Sequence, residues 1–422
     1  MPVMPALHSA AWVVPVSAAP IANGAVVTAA GKIVDVGTLE VLSGRYPHAP
    51  HRHHTGAALT PALINAHTHL ELSHLSSLSR RPHQGTFTGW VSQLIALRLE
   101  LGATGVAAEQ AAIQSSRQQY ENGVSVLADI GNTDLALGLV DIYPGRLLSF
   151  HEYLGLTPQS LTKNRDRLAL EPATRLCSGH APYSTHPALL SALKKRAKRL
   201  GQVFPIHVAE PMAELDMLRH GRGEMVDFIL VRTGEEIVFQ AAIGPEEGSI
   251  HYLYRLGLLD ERTLCIHGIH VSDAEMTIMA DTGAKVCICP HSNHFLGVGS
   301  APVQRYLQHG ILPALGTDSP ASNPELSLWQ EMHLLASAPD APDAATIFAM
   351  ATLGGALALG LDDQLGSLEP GKEADILVVP LDTTADSSVS TAADLMKVLT
   401  SRPRQALNQD SSSQHTVSRI AL

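Results

Sequence analysis

A (β/α)8 barrel is the fold class this sequence predicts, an α/β architecture flanked by β-rich segments at both chain ends, and three observations predict it. The central part of the chain alternates short continuous apolar runs with longer helical stretches: "ALINAHTHLEL", "VSVLADIG", "GRLLSFHEYLG", "RLCSGHAPYS", "VFPIHVAE", "TLCIHGIHV", "KVCICPHSN" and "LPALGTDSP". A continuous apolar run reads as a strand buried on both faces, the habit of parallel sheets covered by crossover helices. Roughly eight such units over about 260 residues match the barrel in number and length; other doubly wound sheets usually have fewer strands and a glycine-rich first loop that this sequence lacks. The third observation is where polar residues fall. Nearly every run ends in His, Asp or Glu: His67 and His69, Asp129, His151 and Glu152, His180, His207 and Glu210, His267 and His270, His291 and His294, Asp318. The C-terminal strand ends of such a barrel carry its chemistry, so these residues would converge on one mouth.

In chain order, residues 1–60 hold "AWVVPV", "GAVVTAAGKIVDVG" and "GAALT", short β-like runs punctuated by Gly, Pro and Asn. Within them "HRHH" at 51–54 reads as a solvated loop before the first barrel strand. The barrel occupies 61–362. Its one basic run, "KKRAKR" at 194–199, follows "HPALLSAL" and reads as the solvated face of a helix. Residues 363–422 return to β texture in "GSLEPGKEADILVVPL", and the closing "NQDSSSQHTVSRIAL" receives no function.

With 422 residues and 45% hydrophobic content, the chain can bury a large core. A net charge of −11 argues against nucleic acid or an anionic membrane as partner, since both need clustered Lys and Arg. Cys177, Cys265, Cys287 and Cys289 lie in apolar runs without zinc-ribbon or disulfide spacing, which suits reduced core thiols. The N-terminus lacks a basic region followed by a long apolar one, and no stretch approaches the ~18 apolar residues of a membrane span. A cytoplasmic protein is expected; the oligomeric state stays open, a homodimer included.

His67 and His69, at i and i+2, share one face of a strand and can share one ligand. A lone His-x-His is weak, but His207 and Asp318 at other strand ends complete a set of imidazoles plus a carboxylate. That set suits Zn(II) or Fe(II), with one position left for water.

On these residues the chain resembles the amidohydrolase superfamily, and within it the mononuclear nucleoside and base deaminases. "NAHTHL", "HVAE", "IHGIH" and "LGTDSPASN" are similar to that family's first-, fifth-, sixth- and eighth-strand motifs, and "CPHSN" with "LGVGSAPV" resembles its seventh-strand loop. The resemblance spans nearly the full length and implies that the N- and C-terminal β segments pair as a small β-sandwich. It makes His67, His69, His207 and Asp318 the ligands of one divalent metal, Zn(II) or Fe(II). Glu210 becomes the proton shuttle, and His267 the hydrogen-bond partner of the metal's water. Relatives with two metals carry a lysine where "GHAPYS" has none, so one metal is expected.

The same resemblance suggests the substrate, a small-molecule nucleoside. "HTHLELSHL", "FTGWVSQLIALR", "FHEYLG", "CPHSNHFLGVG" and "LGTDSPASNPELSLWQEM" look most like the aminodeoxyfutalosine deaminases of menaquinone biosynthesis, close to the methylthioadenosine/S-adenosylhomocysteine deaminases. His180 would contact the nucleoside; Glu71, Trp90, Ser292 and Asn293 are further pocket candidates. A benzoate tail calls for an arginine, with Arg98 and Arg81 preferred over Arg80, and Arg146 expected at the wrong barrel end. The alternatives are methylthioadenosine, S-adenosylhomocysteine or adenosine deamination, and ring dechlorination on the same scaffold. Hydrolysis of a cyclic amide fits less well, because Glu210 is retained and the lysine is not.

Overall fold

The computed structural model describes residues 4–234, 239–381, 389–401 and 417–420. Most of the closing stretch 408–422 therefore lies outside the described residues. The N-terminal segment forms β1 (Ala6–Val13), β2 (Ile21–Ala22), β3 (Gly24–Ala29), β4 (Lys32–Thr38) and β5 (His51–Pro61). The central segment supplies β6 (Leu63–Thr68), β7 (Val124–Gly131), β8 (Arg146–Tyr153), β9 (Leu176–Gly179), β10 (Phe204–Val208), β11 (Thr263–His267), β12 (Lys285–Ile288) and β13 (Ala314–Leu315). β14 (Ile376–Pro380) and β15 (Ser418–Arg419) follow.

The strands of the two chain ends join in one sheet of order β15-β14-β5-β1-β3-β4, with β2 paired to β1. Side-chain direction alternates along each strand, so the sheet buries both faces. Val26 packs with Val13, Leu59, Ile376 and Ile420. Its neighbours Ala25 and Val27 pack with Leu7 and Leu42 on the other side. "HRHH" is therefore no loop: it opens β5 and pairs in parallel with β1, Leu7 opposite His51 and Ala10 opposite His54. The local sequence conceals this because the partner strand lies some forty residues away.

β6 to β9 and β10 to β13 form two four-stranded sheets in sequence order, parallel wherever registers are defined. Hydrogen bonds cross both seams. The His207 N–H donates to the His180 carbonyl at 2.9 Å, and the N–H groups of Thr317 and Asp318 reach the His67 carbonyl at 3.0 and 3.1 Å. The eight strands thus follow one another around a barrel. Every residue of β7 is buried, as a doubly covered strand requires, and each Val, Leu or Ile so buried contributes about 1.5–3 kcal/mol.

Two compact units emerge, one of residues 1–65, 117–126 and 327–422, the other of 66–116 and 127–326. The C-terminal ends of the barrel strands belong to the second. Within it, the helix Pro187–Leu200 carries the basic run, but its face is not wholly solvated. Lys194 is buried against Asp260 and the Thr263 hydroxyl, and Arg196 donates to the carbonyls of Arg175 and Pro172. The four cysteines are buried free thiols. No helix among the described residues is long and apolar enough to cross a membrane.

Candidate metal centre and active site

His67 and His69 end the β6 run, and their rings meet edge to face with centroids 4.6 Å apart. His207 from β10 lies 5.0 Å from His67 and stacks on His69 at 5.3 Å. The ligand atoms of these three imidazoles all fall within 4.8 Å of one another. Asp318, just past β13, places Oδ1 3.7 Å from the Nε2 atoms of both His67 and His69.

These residues fit a metal because of what fixes them. His69 Nδ1 bonds to the Ile130 carbonyl at 2.7 Å and His207 Nδ1 to the His180 carbonyl at 2.9 Å. Each ring therefore carries its proton on Nδ1 and presents a bare Nε2; these two Nε2 atoms lie 3.3 Å apart, close to the separation of two ligands on one tetrahedral ion with bonds of about 2.1 Å. Asp318 Oδ2 accepts the hydroxyls of Ser292 at 2.5 Å and Ser322 at 3.2 Å, which turns Oδ1 towards the histidines. Three imidazole nitrogens and a carboxylate oxygen suit Zn(II) or Fe(II) over Mg(II) or Ca(II). A second grouping, Glu152, His180 and His207, shares His207. Glu152 faces His207 Nδ1 at 3.6 Å, the nitrogen already committed to a carbonyl, so this grouping offers no second complete site.

The charge states of His67 and Asp318 agree with ligation. At His69 burial is outweighed by the fields of Asp318, Glu152 and Asp129, which raise the imidazole, so a metal there would have to displace a proton. Burial pushes the His67 imidazole down to about 3, against the pull of Asp318, and so keeps it neutral. Burial also opposes the charge on Asp318, yet the contact with His67 and the fields of His69 and His267 hold its carboxyl well below the usual range. Glu210 is the counterpart. Its burial, reinforced by the negative fields of Asp318 and Glu214, holds its carboxyl well above the usual range. Its Oε1 lies 3.5 Å from His267 Nε2, and His267 Nδ1 is fixed to Asn293 Oδ1 at 3.0 Å.

The backbone is bent to make this arrangement. Ala209, His267 and Asp318 have φ values of +55°, +74° and +56°. A non-glycine residue pays about 1–2 kcal/mol in this left-handed region, and three such residues beside one cluster mark strain concentrated where side chains must be aimed.

A cavity of about 750 Å³ opens over the cluster. His69, His207, Glu210, His267 and Asp318 line it, together with Glu71, Trp90, Arg98 and His180 from the expected pocket set. Much of the remaining wall is apolar: Phe87, Val91 and Leu94 from the helix Phe87–Leu101, and Met225, Phe228 and Ile229 from the helix Glu224–Thr233. His180 Nδ1 pairs with the Ser184 hydroxyl.

Other expected contacts are placed differently. Ser292 and Asn293 are buried and hold Asp318 and His267, respectively, because Pro290 starts a short helix that turns them behind the cluster. Arg81 and Arg80 are exposed and do not line the cavity. Arg98 lines it, yet its Nη2 is committed to Glu71 Oε1 and Asn132 Oδ1, both at 2.9 Å. Glu71 Oε2 is likewise taken, by the Thr133 N–H at 2.9 Å and hydroxyl at 2.6 Å. The cation that sequence reasoning missed is Arg232, exposed at the end of the helix Glu224–Thr233 and lining the cavity. Its spacing from Met225, Phe228 and Ile229, at i+7, i+4 and i+3, was a usable signal.

A model of the amidohydrolase family matches residues 58–403. A 5-methylthioadenosine/S-adenosylhomocysteine deaminase of Nitratidesulfovibrio vulgaris (strain Miyazaki F) is 30% identical over 85% of this chain and 80% of its own length. An aminodeoxyfutalosine deaminase of Deinococcus radiodurans is 29% identical over 73% of this chain and 75% of its own. The crystal structure of Helicobacter pylori aminofutalosine deaminase shares the fold, with a TM-score of 0.77 at 24% identity over 94% of this chain and 97% of that one.

Proposed function

The chain belongs to the amidohydrolase family, and from that premise we propose that it hydrolytically deaminates the adenine ring of a modified nucleoside. 6-Amino-6-deoxyfutalosine is the first candidate, with futalosine and ammonia as products and menaquinone biosynthesis as the setting. The observation that carries this reading is Glu210, a buried carboxyl that lines a largely apolar cavity with His267 and Asp318, its Oε1 3.5 Å from His267 Nε2, where burial and the field of Asp318 favour its proton. The names of the relatives from N. vulgaris and D. radiodurans support the same chemistry.

A divalent metal held by His67, His69, His207 and Asp318 would supply Lewis acidity, lowering a water's pKa towards ~7. The remaining steps belong to side chains. Asp318, ionised and anchored by Ser292 and Ser322, accepts a proton from the attacking water, with His267 orienting that water through Nε2. Glu210 delivers its proton to a ring nitrogen, so that oxygen adds at the adjacent amine-bearing carbon. The proton on Asp318 then goes to the departing amine, and the proton of the new hydroxyl returns to Glu210. One proton of the water leaves on ammonia and the other replaces on Glu210 the proton given to the ring nitrogen, so both carboxyl groups recover their starting states.

The tail of the nucleoside decides among the candidates. Steady-state kinetics of the metal-loaded protein on aminodeoxyfutalosine, methylthioadenosine, S-adenosylhomocysteine and adenosine, read as ammonia release, tests this. We expect the highest kcat/KM for aminodeoxyfutalosine; a preference for methylthioadenosine or S-adenosylhomocysteine would keep the chemistry and discard the menaquinone assignment.

A further inference from the structure

Glu214 has no role in the scheme above, yet it is completely buried four residues beyond Glu210, in the first turn of the helix Met212–His220. Its Oε1 accepts the backbone N–H of Ala209 at 2.9 Å. Ala209 is the non-glycine residue at φ +55° through which the chain leaves β10 before presenting Glu210. The far side of this bend is also tied. The Ala209 carbonyl accepts the N–H groups of Ile269 and His270 at 2.9 and 3.0 Å, and the Val208 carbonyl that of Gly268 at 3.1 Å, which links the bend to the segment following His267.

We propose that Glu214 is a positioning residue for Glu210: its carboxylate holds the left-handed bend at Ala209 that aims the Glu210 carboxyl at His267. Without that acceptor the Ala209 N–H would lose its partner and the strained bend the restraint on its N–H side, and Glu210 would drift from the His267 side of the cavity. Charge favours the same division of labour. Burial pushes the Glu214 carboxyl up to about 7, against the Ser249 hydroxyl and the backbone N–H groups of Ala209 and Glu210, which favour its negative form, and a negative Glu214 favours the proton on Glu210. Two buried carboxyls four residues apart thus divide the work: one anchors the backbone and the other moves the proton. This inference rests on the reading of Glu210 as proton donor.

The test compares Glu214→Ala, Glu214→Gln and the double variant Glu214→Ala/Ala209→Gly in the metal-loaded full chain. A displacement of about 1 Å at a reacting group costs about 100-fold in rate. Glu214→Ala should therefore lose about 100-fold in kcat with KM within threefold and metal content unchanged. Glu214→Gln keeps an acceptor for the Ala209 N–H and should stay within about tenfold of wild type. Glycine adopts φ +55° without strain, so Ala209→Gly should recover about tenfold of the Glu214→Ala loss, an effect that a purely structural role would not produce. Amide exchange at Ala209, whose N–H is the one bonded to Glu214 Oε1, supplies a readout independent of turnover: its protection should persist in wild type and in Glu214→Gln and vanish in Glu214→Ala. A folded, metal-loaded Glu214→Ala with kcat within threefold of wild type, or with the Ala209 amide still protected, would overturn the proposal, as would Glu214→Gln as slow as Glu214→Ala. A wild type that releases no ammonia would instead remove the deaminase reading, and the exchange comparison would still decide whether Glu214 holds the bend.

Discussion

Histidines crowd two parts of this molecule, the ladder between β1 and β5 and the ends of β6, β10 and β11, and their surroundings set them apart. In the ladder they bond to one another and to a serine. His8 Nδ1 faces His54 Nε2 at 3.2 Å, and the Ser9 hydroxyl sits between His51 Nε2 at 2.8 Å and His53 Nδ1 at 2.9 Å. The charges acting on His8 and His54 are those of Arg52 and of fellow histidines, which oppose a cation. At the strand ends, the rings of His69 and His207 are pinned through Nδ1 to carbonyls, their Nε2 atoms converge, and a carboxylate oxygen stands 3.7 Å from His67 and His69. The comparison teaches that histidine density does not make a metal site. The fixed second nitrogen and the nearby anion do.

The sharpest way to break this contrast is to remove a member of the convergent set. His69→Ala or Asp318→Asn should abolish bound metal and lower kcat/KM by about a thousandfold or more, measured by elemental analysis alongside turnover. Glu210→Gln should separate the two effects: metal content stays at the wild-type level while kcat falls about 10²–10⁴-fold, because only proton delivery is lost. Ser292→Ala, which frees Asp318 Oδ2 from its shorter hydrogen bond, should weaken metal affinity by about 10–100-fold in a chelator competition.

Smaller effects are expected in the cavity wall. If a tail carboxylate meets Arg232, Arg232→Met should raise KM for aminodeoxyfutalosine by about tenfold and leave KM for methylthioadenosine unchanged. Arg98→Met should raise both, since it takes the partner from Glu71 whichever tail is present. The smallest effects belong to the ladder. His51→Ala and His53→Ala should leave metal content and kcat at wild-type values. His54 contributes instead to the pH dependence of folding. Burial, then the fields of His8 and Arg52, depress its pKa to about 4, so the folded chain binds fewer protons than the unfolded one between about 6.5 and about 4. Stability should fall as pH drops through that window and level off below it, and His54→Gln should flatten this part of a denaturation-versus-pH series.

The strand ends were legible because two signals coincide there: a continuous apolar run marks a doubly buried strand, and the polar residue that ends it has to face the mouth. That logic brought His67, His69, His207, Glu210, His267 and Asp318 to one mouth, but it also named Asp129, His151, His270, His291 and His294, which do not line the cavity. The resemblance to the amidohydrolases, and not the strand ends alone, singles out the six. It could not locate what depends on long-range pairing or on the direction of a turn. "HRHH" becomes a strand only because β1 is beside it. Ser292 and Asn293 follow a proline that begins a helix and are turned behind the cluster, a rotation that no local pattern encodes. Lys194 and Arg196 look like a solvated face until Asp260 and the carbonyls of Arg175 and Pro172 meet them. Glu214 resembles any acidic residue in the first turn of a helix, where the dipole favours it; only the φ of Ala209 reveals its other partner.

The most direct test of the deamination reading is a product balance. Metal-loaded wild type and Glu210→Gln are each incubated with aminodeoxyfutalosine, and ammonia, the 6-oxopurine nucleoside and bound metal are quantified together. Deamination through Glu210 requires one ammonia per oxopurine formed by wild type, and near silence from Glu210→Gln at equal metal content. A metal-replete wild type that releases no ammonia from this or any other adenine nucleoside, or a Glu210→Gln variant that turns over normally, would contradict it.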